Sequence, residues 1–145
     1  MFDALARLFA DPRPKTAAPE PDVAVAALLV HLAAIDGTTD EVERVAVTRT
    51  LKEHFELDEN QVKSLVDEAT HRARESVDLY QFTSVIMALP EDERVEIIRM
   101  MWQVVFADGK NHELEDNMVW RVAELIGVSA RKRTILRNQM KRSLA

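Results

Sequence analysis

The 145-residue chain contains no cysteine and only three glycines. Without cysteine there is no disulfide framework, no thiolate metal site and no thiol nucleophile. This composition favours a reducing compartment, and we predict a cytoplasmic protein. The chain also lacks a long apolar run: its most apolar stretch, Val23 to Ile35, is much shorter than the roughly 20 residues that a membrane-spanning helix needs. The first residues carry no secretory-signal pattern.

A basic surface and complete catalytic motifs are lacking as well. The net charge of −6 argues against nucleic-acid binding, because recognition of phosphates needs a basic surface. The sequence has no glycine-rich phosphate loop, no Gly-x-Ser-x-Gly motif and no His-Glu-x-x-His motif. We therefore predict that the protein is not an enzyme.

What the sequence does contain is helical periodicity. Residues 1–9 are predicted to form a short amphipathic segment, residues 10–21 a proline-rich linker, and residues 22–145 the compact domain. Apolar residues in the domain recur with helical spacing and no strand pattern is found, so the predicted class is all-α. Helices are expected at about residues 23–35, 38–55, 78–89, 91–106 and 112–126, with two more that follow the capping residues Asp58 and Ser129.

A short acidic motif occurs twice in the domain. Asp36-Gly37 is followed by Glu43, and further along the chain Asp108-Gly109 is followed at the same distance by Glu115. Over the 15 positions that start at each aspartate, six residues are identical, whereas ordinary residue usage would give about one by chance. The stretch before each copy is apolar on nearly all sides. We infer a duplication of three-helix units around two central apolar helices, with one short helix joining the halves.

The acidic motif matches three positions of a calcium-binding EF-hand loop but lacks the others. The first and third positions of such a loop must supply oxygen ligands. In the first copy these positions hold Leu32 and Ala34, and in the second copy they hold Val104 and Phe106. An EF-hand is therefore excluded.

A looser site for a divalent cation such as calcium is a second interpretation of each loop. The candidate ligands are Asp36, Asp40 and Glu43 in the first copy, and Asp108 and Glu115 in the second. Carboxylate oxygens are the ligands that calcium prefers. The alternative is structural, because acids at these positions can cap the following helix and interact favourably with its positive end.

The two copies differ in one candidate ligand. His112 stands where the first copy has Asp40. An imidazole suits zinc, nickel or copper better than calcium. The first loop is therefore the better candidate for calcium.

Each predicted central helix carries one polar residue deep in its interior, His31 in the first and Gln103 in the second. The structural interpretation is that these core groups bond to each other, to backbone or to buried water. A catalytic His31 that works with nearby acids is the alternative. It would require an open pocket around the ring, since the sequence shows neither a nucleophile nor an orienting partner.

Two amphipathic segments are candidates for contact with a protein partner or with a membrane surface. One is the apolar face of residues 1–9, and the other is the last helix, which carries six basic residues and no acid. Such faces can bind a protein or lie peripherally on anionic lipid. The alternative for the basic residues is pairing with acids of the chain itself, such as Glu91. The candidate contact residues are Phe2, Leu5, Phe9, Arg133, Arg137 and Lys141.

The two loops and their flanking residues resemble the tellurite-resistance protein B (TerB-like) family. The resemblance is carried by Ala34-Ile-Asp-Gly-Thr-Thr-Asp-Glu-Val-Glu-Arg44 and Phe106-Ala-Asp-Gly-Lys-Asn-His-Glu-Leu-Glu115. A related domain forms the N-terminal part of a membrane-anchored DnaJ-type co-chaperone. The resemblance covers roughly residues 22–143 and implies a multihelical fold with two central helices. It also implies a binding or scaffolding role in bacterial stress response, with metal binding at the acidic loops.

The sequence therefore supports two functional hypotheses. The first is a non-enzymatic TerB-like stress-response module that binds a protein partner, with a divalent cation at the acidic loops. The second is a membrane-proximal adaptor that uses the N-terminal apolar face and the basic last helix.

Overall fold

Seven α-helices account for most of the residues that the structure describes, and no strand occurs among those residues. The structure is a computed structural model that describes residues 18–35, 41–76, 78–107 and 113–144. The predicted segment 1–9 and most of the predicted linker lie outside the described residues. The all-α prediction is confirmed. The helices are α1 (Pro21–Ala33), α2 (Glu41–Phe55), α3 (Glu59–Glu75), α4 (Tyr80–Met87), α5 (Glu91–Val105), α6 (Glu113–Leu125) and α7 (Ala130–Leu144).

Two helix starts follow the predicted capping chemistry. Before α3, the Asp58 carboxylate accepts the Gln61 backbone N–H at 2.8 Å, and the Gln61 side chain accepts the Asp58 N–H at 2.9 Å. Before α7, the Ser129 hydroxyl accepts the Lys132 N–H at 3.2 Å. Both starts agree with the sequence-based expectation.

The start of α1 differs from the expected start at residue 23. The helix begins at Pro21, with Glu20 at the N-cap position and no side-chain cap bond. Proline suits the first helical position because the N–H that it lacks would have no partner within the helix. Asp22 lies in the first turn, where its carboxylate accepts the Val23 N–H at 2.8 Å.

Helices α1 and α5 lie at the centre of the molecule, as predicted. α1 packs against α2, α3, α4, α5 and α6, while α5 also packs against α2, α6 and α7. Residues 23–29 are all buried, so α1 has no solvent-facing stripe along this stretch. α5 buries Trp102 completely. The remaining helices cover these two.

The buried positions of the two halves recur with a nearly constant spacing. Buried residues of α2 and α6 are related by the spacing of the two acidic loops, as for Glu43 and Glu115. Between α3 and α7 the spacing is shorter by one position, and it is the same spacing that relates Asp58 to Ser129. Each buried residue of α2 or α3 therefore has a buried counterpart in α6 or α7. The pairs of α3 and α7 are Val62 and Arg133, Leu65 and Leu136, and Ala69 and Met140.

The end of α6 is closed by Gly127, as predicted. Its φ of 76° lies in the left-handed region, where a side chain would be strained. The Val128 N–H donates to the Ala123 carbonyl at 2.9 Å. Arg94 of α5 donates from Nη1 to the Ile126 carbonyl at 2.8 Å, which ties this turn to the central helix.

Candidate functional site

The structure buries one glutamate at the start of each helix that follows an acidic loop. Glu43, in the first turn of α2, is 2% exposed, and Glu115, in the first turn of α6, is 1% exposed. Glutamate is almost never fully buried without compensating partners, because the loss of hydration disfavours its charge. The two carboxylates therefore hold equivalent interior positions next to the loops.

The other candidate ligands, Asp36, Asp40 and Asp108, lie outside the described residues, as does His112. Within the described ranges, no three aspartate, glutamate or histidine side chains come together in a group that could hold a metal ion. Metal binding at the loops stays a prediction.

Residues that flank the two acidic loops line one common cavity. Ile35 immediately precedes the first loop, and Leu114 lies in the first turn of α6, after the second loop. Both border a cavity of about 320 Å³, which we call the loop-side cavity. One end of each loop therefore borders this cavity.

The polar groups of the loop-side cavity come from three parts of the chain. They are His31 of α1, Asn117 and Arg121 of α6, and Ser76 and Asp78 between α3 and α4. The Ser76 hydroxyl donates a hydrogen bond to the Asp78 backbone carbonyl, and no hydrogen bond joins the His31 ring to either residue. The sequence singled out His31 but not the other four. These four are scattered between α3 and the middle of α6, and no local motif links them.

His31 and Gln103 do not pair with each other. Gln103 lines a different cavity, between α2, α5 and α7, and no hydrogen bond joins the two side chains. Both residues are half-buried, so the prediction that they lie deep in the core is wrong. Each lies on a face of its central helix that borders a cavity: the loop-side cavity for His31, and the cavity between α2, α5 and α7 for Gln103.

Partial burial gives His31 a role in the pH dependence of stability. Desolvation disfavours the imidazolium and lowers the pKa of His31 below its usual value of 6.5. The folded chain therefore binds this proton less readily than the unfolded chain does. Stability from this group is present above the unfolded pKa, and it decreases as the pH falls from about 6.5 towards the folded pKa.

Replacing His31 by glutamine, the residue of its counterpart Gln103, is expected to flatten this part of the pH dependence. Urea unfolding of both proteins between pH 5 and pH 7.5 measures the effect: the wild-type free energy of unfolding should fall more on acidification than that of His31→Gln. His71→Gln is the matched control, because the His71 side chain is 72% exposed. Equal slopes for wild type and His31→Gln would contradict the prediction.

The three basic residues predicted for contact lie in different environments. The Arg133 side chain is 8% exposed, and Arg137 is partly buried. Lys141 is exposed. Of these three cations, Lys141 is thus the one that the structure presents to solvent. The apolar candidates Phe2, Leu5 and Phe9 lie outside the described residues, and contact with a partner or membrane stays a prediction.

The alternative interpretation of the basic helix is borne out at its first turn. Lys132 donates from Nζ to the Glu91 carboxylate at 3.0 Å. This hydrogen bond and the positive charge lower the pKa of Glu91. Because the pair is exposed, its contribution to stability is small. It joins the start of α7 to the start of α5.

Arg137 belongs to a cluster that the sequence did not indicate. Its guanidinium carbon lies 5.4 Å from the centre of the Trp102 ring and 5.3 Å from that of Phe106, and the two rings stack at 5.8 Å. The guanidinium also donates to the Asp116 carboxylate at 3.1 Å. We call these four residues the aromatic–arginine cluster. It holds α5, α6 and α7 together beside the second acidic loop.

No helix within the described residues is both long and apolar enough to cross a membrane.

The described fold and the buried glutamates define a class of protein: an all-helical module with two central helices and a buried glutamate at the start of the helix after each acidic loop. A family model described as tellurite resistance protein TerB matches residues 22–138. The match covers most of the chain, and the chain therefore belongs to the TerB family. The resemblance seen in the sequence is confirmed. The relation to the DnaJ-type co-chaperone domain stays a prediction.

The fold is shared with a solved structure, the crystal structure of a protein of unknown function from Porphyromonas gingivalis W83. The two structures agree with a TM-score of 0.65 over 84% of this chain and 94% of that chain. Their sequences are 17% identical, so the likeness shows the fold alone. No curated protein matches the chain.

Proposed function

We propose that this TerB-family chain is a non-enzymatic stress-response module of the tellurite-resistance type. It acts in the cytoplasm by binding a protein partner, and it holds a divalent cation at its acidic loops. The observation that carries the proposal is the pair of buried glutamates, Glu43 and Glu115, one beside each loop. A carboxylate at this position beside each loop can supply oxygen ligands and negative charge to a divalent cation.

The chemistry of the donor set fits a hard cation. Asp36, Asp40 and Glu43 supply only oxygen, which suits calcium better than softer metals. These residues would hold the ion in the first loop. In the second loop Asp108 and Glu115 would hold it, with one carboxylate fewer, so we expect weaker binding there.

Binding to a protein partner is supported by apolar side chains beside the loops. Val42 and Leu114, which are counterparts in the two halves, are 47% and 55% exposed. Val45, one turn further along α2, is 49% exposed. Neighbouring exposed apolar residues, such as Val42 and Val45 on one face of α2, are typical of protein interaction sites. A partner that lies on the loop side would cover them.

A thermal-shift series with calcium and other divalent metals tests the cation. The melting temperature of the full chain should rise with calcium, and each site should add about 2.7 kcal/mol of stabilisation when calcium is at a hundredfold excess over the Kd of that site. The double variant Asp36→Asn with Asp108→Asn should lose the rise, because each change removes a charged ligand. Asp36→Asn alone should lose more of it than Asp108→Asn alone.

The control is Glu68→Gln, which removes an exposed acid of α3 that borders a different cavity, beside the start of α1. This variant should keep the full response to calcium. If no metal of the panel raises the melting temperature, and a chelator leaves the untreated protein unchanged, the cation part of the proposal is wrong. The protein-binding part of the proposal is tested separately. The double variant Val42→Ser with Leu114→Ser should lose a protein partner that is recovered with the full chain.

A further inference from the structure

A groove opens between α1, α2 and α3, on the surface of the first half of the molecule. Its volume is about 420 Å³. Its apolar lining includes Val30 of α1, Ala34 just after α1, Val47 of α2 and Val66 of α3. Its charged lining residues are Arg44, Asp67 and Arg74. The groove is a neighbour of the loop-side cavity, since His31 lines both.

The second half of the molecule shows what fills the equivalent position there. With the spacing that relates the two acidic loops, Trp102 is the counterpart of Val30, and Phe106 is the counterpart of Ala34. With the shorter spacing that relates α3 to α7, Arg137 is the counterpart of Val66. These three large side chains form the aromatic–arginine cluster together with Asp116, and the guanidinium lies against both stacked rings.

The groove therefore exists because the first half carries valine and alanine where the second half carries aromatic rings. Six of its twelve lining residues are apolar, and its volume exceeds what one ring needs, since an engineered cavity of about 150 Å³ binds benzene. An aromatic side chain supplied from outside the described residues would restore the packing that Trp102 and Phe106 provide in the other half.

The chain itself carries such rings at its start. Residues 1–9 contain Phe2 and Phe9, for which helical spacing predicts one shared apolar face, and the whole stretch before Ala18 lies outside the described part. The groove lies near the end of α1, roughly 17 Å along the helix axis from Pro21. A proline-rich linker spans about 3.1 Å per residue, so residues 10–18 can cover roughly 28 Å.

We propose that the groove between α1, α2 and α3 binds the chain's own N-terminal segment, residues 1–9, with a phenylalanine ring in the space that corresponds to Trp102. Covered in this way, the groove buries Val30, Ala34 and Val66. The docked segment also withdraws its apolar face from solvent. The same face then cannot insert into a lipid surface at the same time.

Proximity can be tested by disulfide trapping, because the chain has no cysteine of its own. The variant Ala10→Cys with Arg74→Cys places one thiol beside Phe9 and the other in the groove lining. Mild oxidation at micromolar concentration should give a cross-link within one chain. The control pair is Ala10→Cys with Arg131→Cys, since Arg131 is exposed at the start of α7, a helix that packs mainly against α5 and α6.

The ring requirement is tested by adding Phe2→Ser and Phe9→Ser to the trapping variant. Loss of the buried rings should lower the yield of the cross-link by about tenfold relative to the parent. Equal yields for the groove pair and the Arg131 pair would overturn the proposal. So would a cross-link that forms only between two chains, because the occupant would then be a second copy.

A second measurement uses no cysteine and no change in the folded helices. Backbone amide signals of Val30, Ala34 and Thr70 are compared by NMR between the full chain and its Phe2→Ser, Phe9→Ser variant. Signals of the groove should shift while those of α7 stay unchanged, and a synthetic peptide of residues 1–11 should reverse the shift. Unchanged groove signals would overturn the proposal. Binding of residues 1–9 to vesicles of anionic phosphatidylserine would not rescue it in that case.

Discussion

Replacing Trp102 by alanine is expected to lower the free energy of unfolding by about 3–5 kcal/mol. The side chain is fully buried at the centre of the molecule, so its removal leaves a cavity that the surrounding helices can close only in part. It also removes the ring on which Phe106 stacks and over which the Arg137 guanidinium lies. Urea unfolding followed by circular dichroism measures the loss.

The control for this change is its counterpart in the first half. Val30 is a smaller side chain that the described residues bury only in part, so Val30→Ala should cost about 1 kcal/mol. The contrast between the two variants measures how differently the halves are packed at equivalent positions. A loss below about 1 kcal/mol for Trp102→Ala would show that the aromatic–arginine cluster does not stabilise the fold.

The helices could be predicted because their signals are local. Asp58 and Gln61 form a capping box whose spacing is visible in the sequence, and the structure contains both of its bonds. The continuous apolar run of residues 23–29 indicated a helix buried on all sides, and every residue of this run is buried. Such features depend on neighbours within one or two turns, so that the sequence alone defines them.

The burial of Glu43 and Glu115 was not predicted, although a signal for it exists. Glu43 lies three and four residues before Ala46 and Val47, which places it on the inward face of α2. The candidate ligands were chosen for their carboxylates, and charge alone suggests a surface position. The helical periodicity thus predicts a buried side chain and the charge predicts an exposed one. In the structure the side chain is buried, as the periodicity predicts.

The groove and the aromatic–arginine cluster were beyond prediction for a different reason. They become visible only when counterparts are compared in three dimensions, because the spacing between the halves shortens by one position after α2. A single sequence offset, taken from the two acidic loops, aligns Val66 with Asn138 instead of Arg137. The difference between the groove in the first half and the aromatic–arginine cluster in the second half can therefore be recognised only from the packed helices.

Replacing Arg133 by alanine is expected to lower the free energy of unfolding by about 2–4 kcal/mol. Its guanidinium donates to the backbone carbonyls of Trp120 at 3.2 Å and Val128 at 3.0 Å, and to the Glu124 carboxylate at 3.1 Å. It also lies 4.7 Å from the centre of the Trp120 ring. These carbonyls lie along and just beyond the C-terminal part of α6. A positive charge there interacts favourably with the negative end of the helix dipole. The buried counterpart Val62 shows that this position otherwise takes an apolar residue.

Two further variants help to explain the loss of stability and show whether Arg133 acts in folding or in partner binding. Arg133→Met keeps the aliphatic volume but leaves the carbonyl of Val128 without its donor, so it should recover only part of the lost stability. Lys141→Ala, at an exposed site of the same helix, should change stability by less than about 0.5 kcal/mol. If Arg133→Ala instead unfolds like the wild type and loses a binding partner, Arg133 is a contact residue, as the sequence first suggested. The burial of its guanidinium against α6 favours the structural outcome, because a cation held by two carbonyls and a carboxylate is already engaged within the molecule.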